Sequence, residues 1–494
     1  MKTKILVIGA GGAGLTAAIG AARAGAEVWV ASKTGAGMNT CTAYSGGVFT
    51  LASGDVSPQA HFEKTMEVGR HVNDPALVTV LAEQAEKSLR EVASWGVDIR
   101  FPGPGRASVR HTAPYKLMAG EGMMRQLTET AKKQGVRFME FTAATALRLQ
   151  GSRIAGAELV NWRSGKGEFF AADAVILASG GGGRIYSRTD NPVRMTGDGY
   201  ALALDAGLPL IDMEFTQFYP MGWADPELPV WMADLGLADH LRVTDAEGHE
   251  FLMEALHRWG FKDGREGNLY ARDQSSVLIA QTDRRGGAFV HFEDLTEEAR
   301  RGKEMIRELI IDAARFEKIR RPVRIAPLQH YMCGGVKIDA QCRTAIPGLY
   351  ACGEVTGGVD GANRIGGNAL SNIVTFGLRA GKNAAAEAPR APQSGAPASP
   401  LPFTRDGEPT RKLRSELQKK MWQCVGPLRT ARSITEALDF LAEFRTRKMA
   451  VVTPLDLLEA LEMRGLTATS EAVAKAALAR KNSLGTHYRE DSQR

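Results

Sequence analysis

The sequence of 494 residues lacks several features that would assign it to particular classes of protein. No apolar run approaches the roughly 20 residues of a membrane-spanning helix, so we expect no direct membrane span. Two lysines lead directly into a short apolar run at the N-terminus, and no cleavable signal is expected. The five cysteines form no C-x-x-C pair, which argues against an iron–sulfur cluster, a c-type haem or a structural zinc site. We therefore expect no metal and a reducing compartment, the cytoplasm.

The chain also lacks any module that combines basic and aromatic residues for binding nucleic acid. Its net charge is +6 and its pI is near 9, but lysine and arginine are spread along the whole length. We expect no nucleic-acid function. A basic surface suits anionic small-molecule substrates equally well. The 44% hydrophobic fraction is ordinary for a soluble globular protein, and the length predicts two or three domains.

A glycine motif near the N-terminus is the feature around which the chain is organised. The apolar run Ile5-Leu6-Val7-Ile8 predicts a buried parallel strand, and Gly9-Ala10-Gly11-Gly12-Ala13-Gly14 follows it. A helix over 15–24 and a strand over 27–31 complete a β-α-β unit. In such a unit the first glycine permits a tight turn, the second lets backbone approach a pyrophosphate, and the third lets helix and strand pack closely. The motif indicates a dinucleotide site; the alternative is a glycine-rich structural turn.

The residue after the second strand indicates which kind of dinucleotide the site binds. An NAD site usually has Asp or Glu there to hold the ribose 2′-hydroxyl, and this chain has Ser32. The loop over 32–47 consists mainly of small residues and contains no histidine. Its length and composition favour a loop that wraps a larger cofactor, although a flexible surface loop has the same composition.

Further along, the pattern predicts alternating elements and then a change of character. Helices are predicted over 75–98, 120–133, 200–206 and 371–387, and a strand pair over 136–147 and 154–160. Strands over 174–177 and 348–354 each lead into glycines. Asp198 opens the helix over 200–206, and it could be only a helix cap. The region 403–494 is predicted to be helical, with a capping box at Ser433-Ile434-Thr435-Glu436 before an apolar face.

Together these patterns predict an α/β fold with a Rossmann-like cofactor domain, a separate inserted domain and a C-terminal helical region. Residues 214–326 have no βαβ rhythm and are interpreted as the inserted domain. A segment rich in Pro, Ala and Ser is interpreted as a linker. The expected divisions are 1–213 and 327–388 for the cofactor domain, 214–326 for the capping domain, 389–402 for the linker and 403–494 for the helical domain.

The order of several motifs resembles the succinate dehydrogenase/fumarate reductase flavoprotein family, which includes L-aspartate oxidase. The resemblance extends over nearly the whole chain. Its motifs are the N-terminal glycines, Ser32-Lys33, Ser45-Gly46-Gly47, Ala178-Ser179-Gly180-Gly181, Thr196-Gly197-Asp198-Gly199, Glu214-Phe215-Thr216-Gln217-Phe218-Tyr219-Pro220, Ala271-Arg272-Asp273, His330-Tyr331-Met332-Cys333-Gly334-Gly335, Gly353-Glu354, Gly361-Ala362-Asn363-Arg364-Ile365-Gly366-Gly367-Asn368 and His487-Tyr488-Arg489-Glu490-Asp491.

The resemblance implies a discontinuous Rossmann-like FAD-binding domain, with 214–326 as an inserted α+β capping domain, and a C-terminal helical domain. It also implies FAD and a site between the FAD and capping domains, where a substrate C–C bond exchanges hydride with flavin N5. It implies that Arg272 exchanges a proton with the neighbouring carbon, and that Arg364 and His330 hold the substrate carboxylate. Tyr219 is the fourth expected catalytic residue. Arg272 could instead form a surface ion pair, and His330 could be a packed core histidine. The expected FAD-binding residues are Gly9, Gly11, Gly12, Gly14, Ser32, Lys33, Asn39, Thr40, Ser45, Gly46, Gly47, Ala144, Ser179, Gly180, Asp198, Glu354, Asn368, Ala369 and Leu370.

Three departures from the family pattern bear on cofactor attachment and on the substrate. The family's respiratory enzymes attach FAD covalently to a histidine whose place here is at or beside Thr40, so we expect non-covalent FAD. The histidine of Gln-Phe-His-Pro is Tyr219 here. The Thr-Glu-Gly that follows in the family is missing, and Val230-Trp231-Met232-Ala233-Asp234 stands in that region. In the family that histidine and threonine hold a second carboxylate, which would be poorly satisfied here.

These departures lead to the hypothesis of a substrate with one carboxylate and a distal group that is apolar, aromatic or weakly polar. Two alternatives stay open: an oxidase resembling L-aspartate oxidase, and an electron-transfer subunit of a complex. Because the chain has no cluster ligands of its own, the resemblance implies an electron-transfer partner such as an iron–sulfur subunit. That partner could hold the protein at the inner face of a membrane.

Overall fold

The centre of the molecule is a five-stranded parallel sheet. The computed structural model describes residues 2–110, 118–296, 298, 319–389 and 403–492. In spatial order the strands are Leu349–Ala351, Ala174–Leu177, Lys4–Ile8, Glu27–Ala31 and Arg137–Met139. Ile5, Leu6 and Val7 have no exposed surface, as expected of a parallel strand covered on both faces. The β-α-β unit predicted from the glycine motif is confirmed.

Two helices rich in small residues cover one face of this sheet. The helix Gly12–Arg23 packs along the helix Asn368–Ala385. A Cβ atom on Gly381 would lie 2.1 Å from the carbonyl oxygen of Ala17, so the two backbones can approach this closely only without it. The first helix begins within the glycine motif, three residues earlier than predicted, and the second spans 368–385 rather than 371–387.

Smaller sheets and four further helices complete this part of the molecule. The predicted strand pair forms an antiparallel sheet, but the strand predicted over 136–147 is broken at Phe141, whose φ of 56° reverses the chain. The part of this strand before the break, Arg137–Met139, joins the central sheet. One antiparallel sheet consists of Thr142–Gln150, Arg153–Asn161 and Lys166–Ala171, and a second consists of Val48–Thr50, Arg106–Val109 and Ile99–Gly103. The four helices are Pro58–Val68, Pro75–Ala93, Ala119–Lys133 and Asp198–Asp205.

Among the residues that the structure describes, a four-stranded antiparallel sheet and three helices form the region that we call the cap. Its strands are, in spatial order, Thr216–Trp223, Pro322–Met332, Ala288–His291 and Val243–Thr244, and its helices are Leu252–Arg258, Gly264–Tyr270 and Arg272–Arg284. The cap has its own apolar core around Trp223 and Phe292. The strand Pro322–Met332 passes without interruption through the expected domain boundary at 326–327, and the division into domains stays a prediction.

The C-terminal region is helical, as predicted, and shares its apolar core with the central sheet. Its helices are Thr410–Val425, Ala431–Phe444 and Pro454–Ala479. The predicted capping box at Ser433–Glu436 is wrong. The helix begins three residues earlier, and Thr430 and Ser433 cap it reciprocally, with bonds of 3.0 and 3.1 Å. Residues 390–402 of the predicted linker lie outside the described part of the chain.

The remaining elements are short. Two small strand pairs join Leu210–Ile211 to Gly335–Val336 and Glu408–Pro409 to Met449–Ala450, and three 3₁₀ helices span Gly183–Ile185, Leu235–Asp239 and Phe292–Asp294. Among the residues that the structure describes, no helix combines the length and the apolar character needed to cross a membrane.

Candidate active site

A cavity of about 1480 Å³ lies between the central sheet and the cap. It begins at the glycine motif and reaches the cap residues Tyr219 and Arg272. All four expected catalytic residues line it. Among the expected cofactor residues, Gly14 and Asn368 do not line it, whereas the following do: Gly9, Gly11, Gly12, Ser32, Lys33, Asn39, Thr40, Ser45, Gly46, Gly47, Ala144, Ser179, Gly180, Asp198, Glu354, Ala369 and Leu370.

The glycine motif forms one end of the cavity as its spacing predicts. Gly9 has φ 115°, and a Cβ there would lie 2.2 Å from the carbonyl oxygen of Ala178. A Cβ on Gly14 would lie 1.9 Å from the Gly9 carbonyl oxygen, so Gly14 serves the packing of helix against strand. A Cβ on Gly11 would meet only an ordinary contact, with Cβ of Thr40 at 3.8 Å, and Gly11 lines the cavity. The N-terminus of the helix Gly12–Arg23 therefore opens onto the cavity and suits an anion.

Next to this end, Lys33 and Asp198 form an ion pair in the cavity wall. The Lys33 ammonium lies 2.5 Å from Asp198 and 2.9 Å from Glu462. Burial alone would lower the pKa of Lys33, but these two carboxylates outweigh it and raise that pKa. The charge of Lys33 is therefore already neutralised by the carboxylates of Asp198 and Glu462. Asn368 is likewise engaged elsewhere, since its Oδ1 lies 3.1 Å from Nε2 of His61.

The middle of the cavity combines small residues with a buried carboxyl. Burial raises the pKa of Glu354 to about 7, although its Oε1 accepts a 3.0 Å hydrogen bond from the backbone N–H of Met332. The Ser179 hydroxyl is buried and has no hydrogen-bond partner among the described residues. Ser45, Gly46 and Gly47 lie opposite, before the strand Val48–Thr50. These groups leave room and hydrogen-bonding capacity for a bound molecule.

At the far end, two buried arginines and a histidine meet. Arg272 begins the helix Arg272–Arg284, and its Nε donates to the carbonyl oxygen of Asn268 at 2.7 Å. Burial lowers the pKa of Arg272 to about 10. Arg364 is 3% exposed, and its Nε has no partner among the described residues. Its guanidinium lies over the ring of Tyr331, 4.4 Å from the centroid. Both arginines are available to an anion in the cavity.

His330 and Tyr219 stand side by side on paired strands of the cap sheet. Nδ1 of His330 lies 2.7 Å from Oδ2 of Asp190, and the His330 and Tyr219 rings are 5.1 Å apart. Burial lowers the pKa of His330 although Asp190 opposes it. Asp190 thus fixes the imidazole with its other nitrogen towards the cavity. Burial strongly raises the pKa of Tyr219, which keeps its hydroxyl protonated, and the Arg272 guanidinium lies 4.6 Å from its ring centroid.

Comparison with known proteins agrees with this architecture. Residues 4–370 match the model of the FAD binding domain, and residues 414–494 match that of the fumarate reductase flavoprotein C-terminus. The chain belongs to the fumarate reductase/succinate dehydrogenase flavoprotein family. It is therefore an FAD-dependent oxidoreductase acting on CH–CH or related groups, and the resemblance noted in the sequence is confirmed.

Several relatives of this flavoprotein match it over almost their full length. It is 32% identical to one subunit of the fumarate reductase (CoM/CoB) of Methanothermobacter marburgensis, with 99% of this chain and 94% of the relative covered. It is 31% identical to L-aspartate oxidase of Mycobacterium bovis, over 98% and 92% of the two chains. The structure of E. coli quinol fumarate reductase FrdA matches with a TM-score of 0.84 at 26% identity, covering 100% of this chain and 92% of the other.

FAD fits the donor set of the flavoprotein's cavity. The helix N-terminus beside Gly11 suits the pyrophosphate, and the unpartnered Ser179 hydroxyl and the protonatable Glu354 offer hydrogen bonds further along. Within 32–47 no histidine faces the cavity, because the sequence has none there. The predicted cofactor is confirmed, and its non-covalent attachment stays a prediction.

An apolar wall stands beside the arginines, at the place of the missing family motif. Met118, Tyr219, Met232 and Leu328 form one buried cluster, and Trp231 packs against it. The indole of Trp231 lies 6.0 Å from the ring of Tyr44 across the cavity rim. We call these five cluster residues the apolar wall: Met118, Tyr219, Trp231, Met232 and Leu328.

Four polar residues beside the catalytic groups were not anticipated from the sequence. Asp190 orients His330, and Gln217 donates to the carbonyl oxygen of Arg364 at 2.8 Å. Asn268 accepts from Arg272 and donates to Asp234 at 2.9 Å. Asn268 precedes Arg272 by four residues, a helical spacing that could have indicated the contact. No local signal connects Asp190 to His330, since 140 positions separate them.

Proposed function

We propose that the flavoprotein exchanges a hydride with a C–C bond next to a single carboxylate, and that the far end of its substrate is apolar or aromatic. The observation that carries this proposal is the pairing of Arg272, Arg364 and His330 with the apolar wall. One end of the site can neutralise a carboxylate. The other end presents methionine and aromatic surface from Met118, Trp231 and Met232, where a second carboxylate would be poorly satisfied.

The cofactor would be held along the length of the cavity. Gly9, Gly11 and Gly12 would hold the pyrophosphate, and Ser32, Lys33, Ala144 and Asp198 would lie at the adenosine end. Around the rest we place Asn39, Thr40, Ser45, Gly46, Gly47, Ser179, Gly180, Glu354, Ala369 and Leu370. When bound, FAD supplies hydride chemistry at its N5 atom.

Arg364 and His330 would bind the substrate carboxylate. Negative charge develops on that carboxylate when an alkene next to it accepts a hydride, so a cation fixed there stabilises the transition state. The unpartnered Nε of Arg364 supports this role. Arg364 is buried and could bind the carboxylate with two parallel hydrogen bonds.

Arg272 would exchange the proton with the neighbouring carbon. An arginine is an unusual acid because its ordinary pKa lies above about 12. Burial lowers the pKa of Arg272 to about 10, which supports this assignment. The Asn268 carbonyl oxygen accepts from Nε, and Nη1 donates to Oε1 of Gln217 at 3.5 Å, so Nη2 would be the nitrogen that faces the substrate.

A second candidate is supported by the relatives rather than by the site. The similarity to an L-aspartate oxidase favours an oxidase that passes electrons to O₂. Aspartate, however, has two carboxylates and would place one of them against the apolar wall. Since the relative from M. marburgensis is described as a subunit, we also propose an electron-transfer partner, such as an iron–sulfur subunit, and a cytoplasmic location or one at the inner face of a membrane through that partner.

The test is anaerobic reoxidation of the chemically reduced holoprotein by acrylate, cinnamate and fumarate, with O₂ as a separate acceptor. We expect one of the monocarboxylates to reoxidise the flavin faster than fumarate does. Rapid turnover with fumarate alone would contradict the proposal, and rapid turnover with O₂ and aspartate would favour the oxidase. Arg272→Ala is the companion variant: an enzyme loses turnover and keeps its flavin, whereas an electron-transfer scaffold is unaffected.

A further inference from the structure

One buried carboxylate in the C-terminal region contacts three cations from three other parts of the chain. Glu462 lies on the helix Pro454–Ala479, and its side chain has no exposed surface. One of its oxygens is 2.9 Å from the Lys33 ammonium. The other is 2.8 Å from a guanidinium nitrogen of Arg194 and 3.1 Å from one of Arg414. Burial alone would raise the pKa of Glu462, but the three cations hold it below its ordinary value, so the carboxylate is charged.

Two of these cations also form the wall of the cofactor cavity. Lys33 and Arg194 both line it, as does Asp198. The Lys33 ammonium donates to Oγ1 of Thr196 at 2.8 Å and to the carbonyl oxygen of Arg194 at 3.0 Å. Thr196 in turn donates to Asp198 at 2.9 Å. The Glu462 carboxylate therefore stands directly behind the groups expected at the adenosine end of FAD.

The helix that carries Glu462 touches the same turn through its backbone. A Cβ on Gly465 would lie 2.7 Å from both Oδ1 of Asp198 and the carbonyl oxygen of Thr196. A Cβ on Gly197 would lie 1.9 Å from Oγ1 of Thr469. The helix and the turn pack too closely for any group between them to absorb a shift. A shift of the helix must therefore move the cavity wall.

We propose that Glu462 is a positioning residue for FAD, and that it links docking of the C-terminal helix to cofactor affinity. With its charge in place, Lys33 and Arg194 are held in one arrangement before FAD arrives. Without it, Arg194 and Arg414 lose their carboxylate and Lys33 keeps only Asp198, so these cations would turn towards the cavity or draw in water. Because such a linkage is reciprocal, bound FAD must also stabilise the docked helix. The proposal holds whichever substrate the enzyme takes.

The decisive measurement is the Kd for FAD of the apoprotein, obtained by titration with flavin fluorescence as the signal. Glu462→Gln keeps the shape and removes the charge. We expect its Kd to rise by about tenfold or more. The matched control is Glu459→Gln on the same helix. Glu459 is also buried, but its partners are Thr410 at 2.6 Å and Arg411 at 3.6 Å, and neither of them lines the cavity. Its Kd should stay within about twofold of the wild type.

Hydrogen exchange separates positioning from a general loss of stability. In the wild type, FAD should slow amide exchange in the helix around Leu457–Leu466, and Glu462→Gln should abolish most of this effect while Glu459→Gln keeps it. A wild-type Kd in Glu462→Gln overturns the proposal. If that variant does not fold, Glu462→Asp tests the same proposal. It keeps a carboxylate on a shorter side chain, so it should raise the Kd for FAD, but by less than Glu462→Gln. Unchanged exchange of this helix when FAD binds to the wild type also overturns it.

Discussion

At the scale of single residues, the site depends on charged groups that the fold has removed from water. Arg272 and Arg364 are both at least 94% buried, and neither forms an ion pair among the described contacts. A buried cation without a counter-ion is costly, and proteins keep one where an anion will bind. The low pKa of Arg272 and the neutral state favoured for His330 have the same physical cause, which is burial.

The pH profile of the reductive reaction should report the state of Arg272. If Arg272 delivers the proton, the free enzyme must hold it protonated, so kcat/KM should be constant up to about pH 9 and fall above the pKa of about 10. Arg272→Lys should lower kcat about 10³-fold and leave the FAD content unchanged. Stopped-flow reoxidation across this pH range measures both effects.

A matched control for Arg272 is Arg188. Its pKa is also lowered by burial, but it donates to backbone oxygens of Trp223 and Pro327 and does not line the cavity. Arg188→Lys should therefore keep the alkaline limb of the profile. A limb that persists unchanged in Arg272→Lys would assign the proton transfer to another group.

At the scale of elements, helix boundaries are decided by local hydrogen bonds of only a few residues. Thr430 and Ser433 cap the helix Ala431–Phe444, and the backbone N–H of Ala431 also donates to Asp491 at 2.7 Å. The sequence predicted Ser433 as the cap, three residues after the cap in the structure, Thr430. The tail residue Asp491 is a tertiary contact that favours the earlier one, and no local pattern reveals it.

Thr430→Ala should destabilise this helix by about 1 kcal/mol, because one N–H group in its first turn loses its acceptor. Hydrogen exchange of the amides in Ala431–Phe444 should become about fivefold faster. Thr435→Ala provides the control, since Thr435 is exposed within the same helix and alanine is the better helix former. Equal acceleration in both variants would contradict a capping role for Thr430.

The sequence predicted those elements whose determinants are local. The β-α-β unit and the strand over 174–177 follow from apolar runs and glycines, and the helix after Pro75 follows from its periodicity. The break at Phe141 did not follow, because a positive φ at phenylalanine has no sequence signature. In the site, the arginines and the glycines were recognised by motif. Asp190 and Glu462 depend on contacts between distant segments, which a single sequence does not show.

At the scale of the whole molecule, three regions meet around the one cavity in which we place the cofactor. The central sheet supplies the glycine motif, the cap supplies Tyr219 and Arg272, and the C-terminal region supports the wall through Glu462. The apolar core of the central sheet continues into the C-terminal helices, whereas the cap has a core of its own. We therefore expect unfolding of either core to release FAD.

Denaturation should release all of the flavin in free form. No histidine occurs at the place where the family's respiratory enzymes form the covalent bond, and Thr40 cannot substitute for it chemically. After precipitation with acid, the flavin absorbance should be in the supernatant and the protein pellet should show no fluorescence under ultraviolet light. Flavin retained in the pellet would show that another side chain forms the bond.

The strand Pro322–Met332 has a mechanical consequence. Its first half lies in the apolar core of the cap, and its second half carries His330 into the site. The neighbouring strand carries Tyr219 in the same way. If the cap tilted away to admit a substrate, both side chains would travel with it and leave Arg364 behind. The site could then not be open to substrate and hold His330, Tyr219 and Arg364 together at the same time. The reduced enzyme would therefore be protected from wasteful turnover while the cap is open.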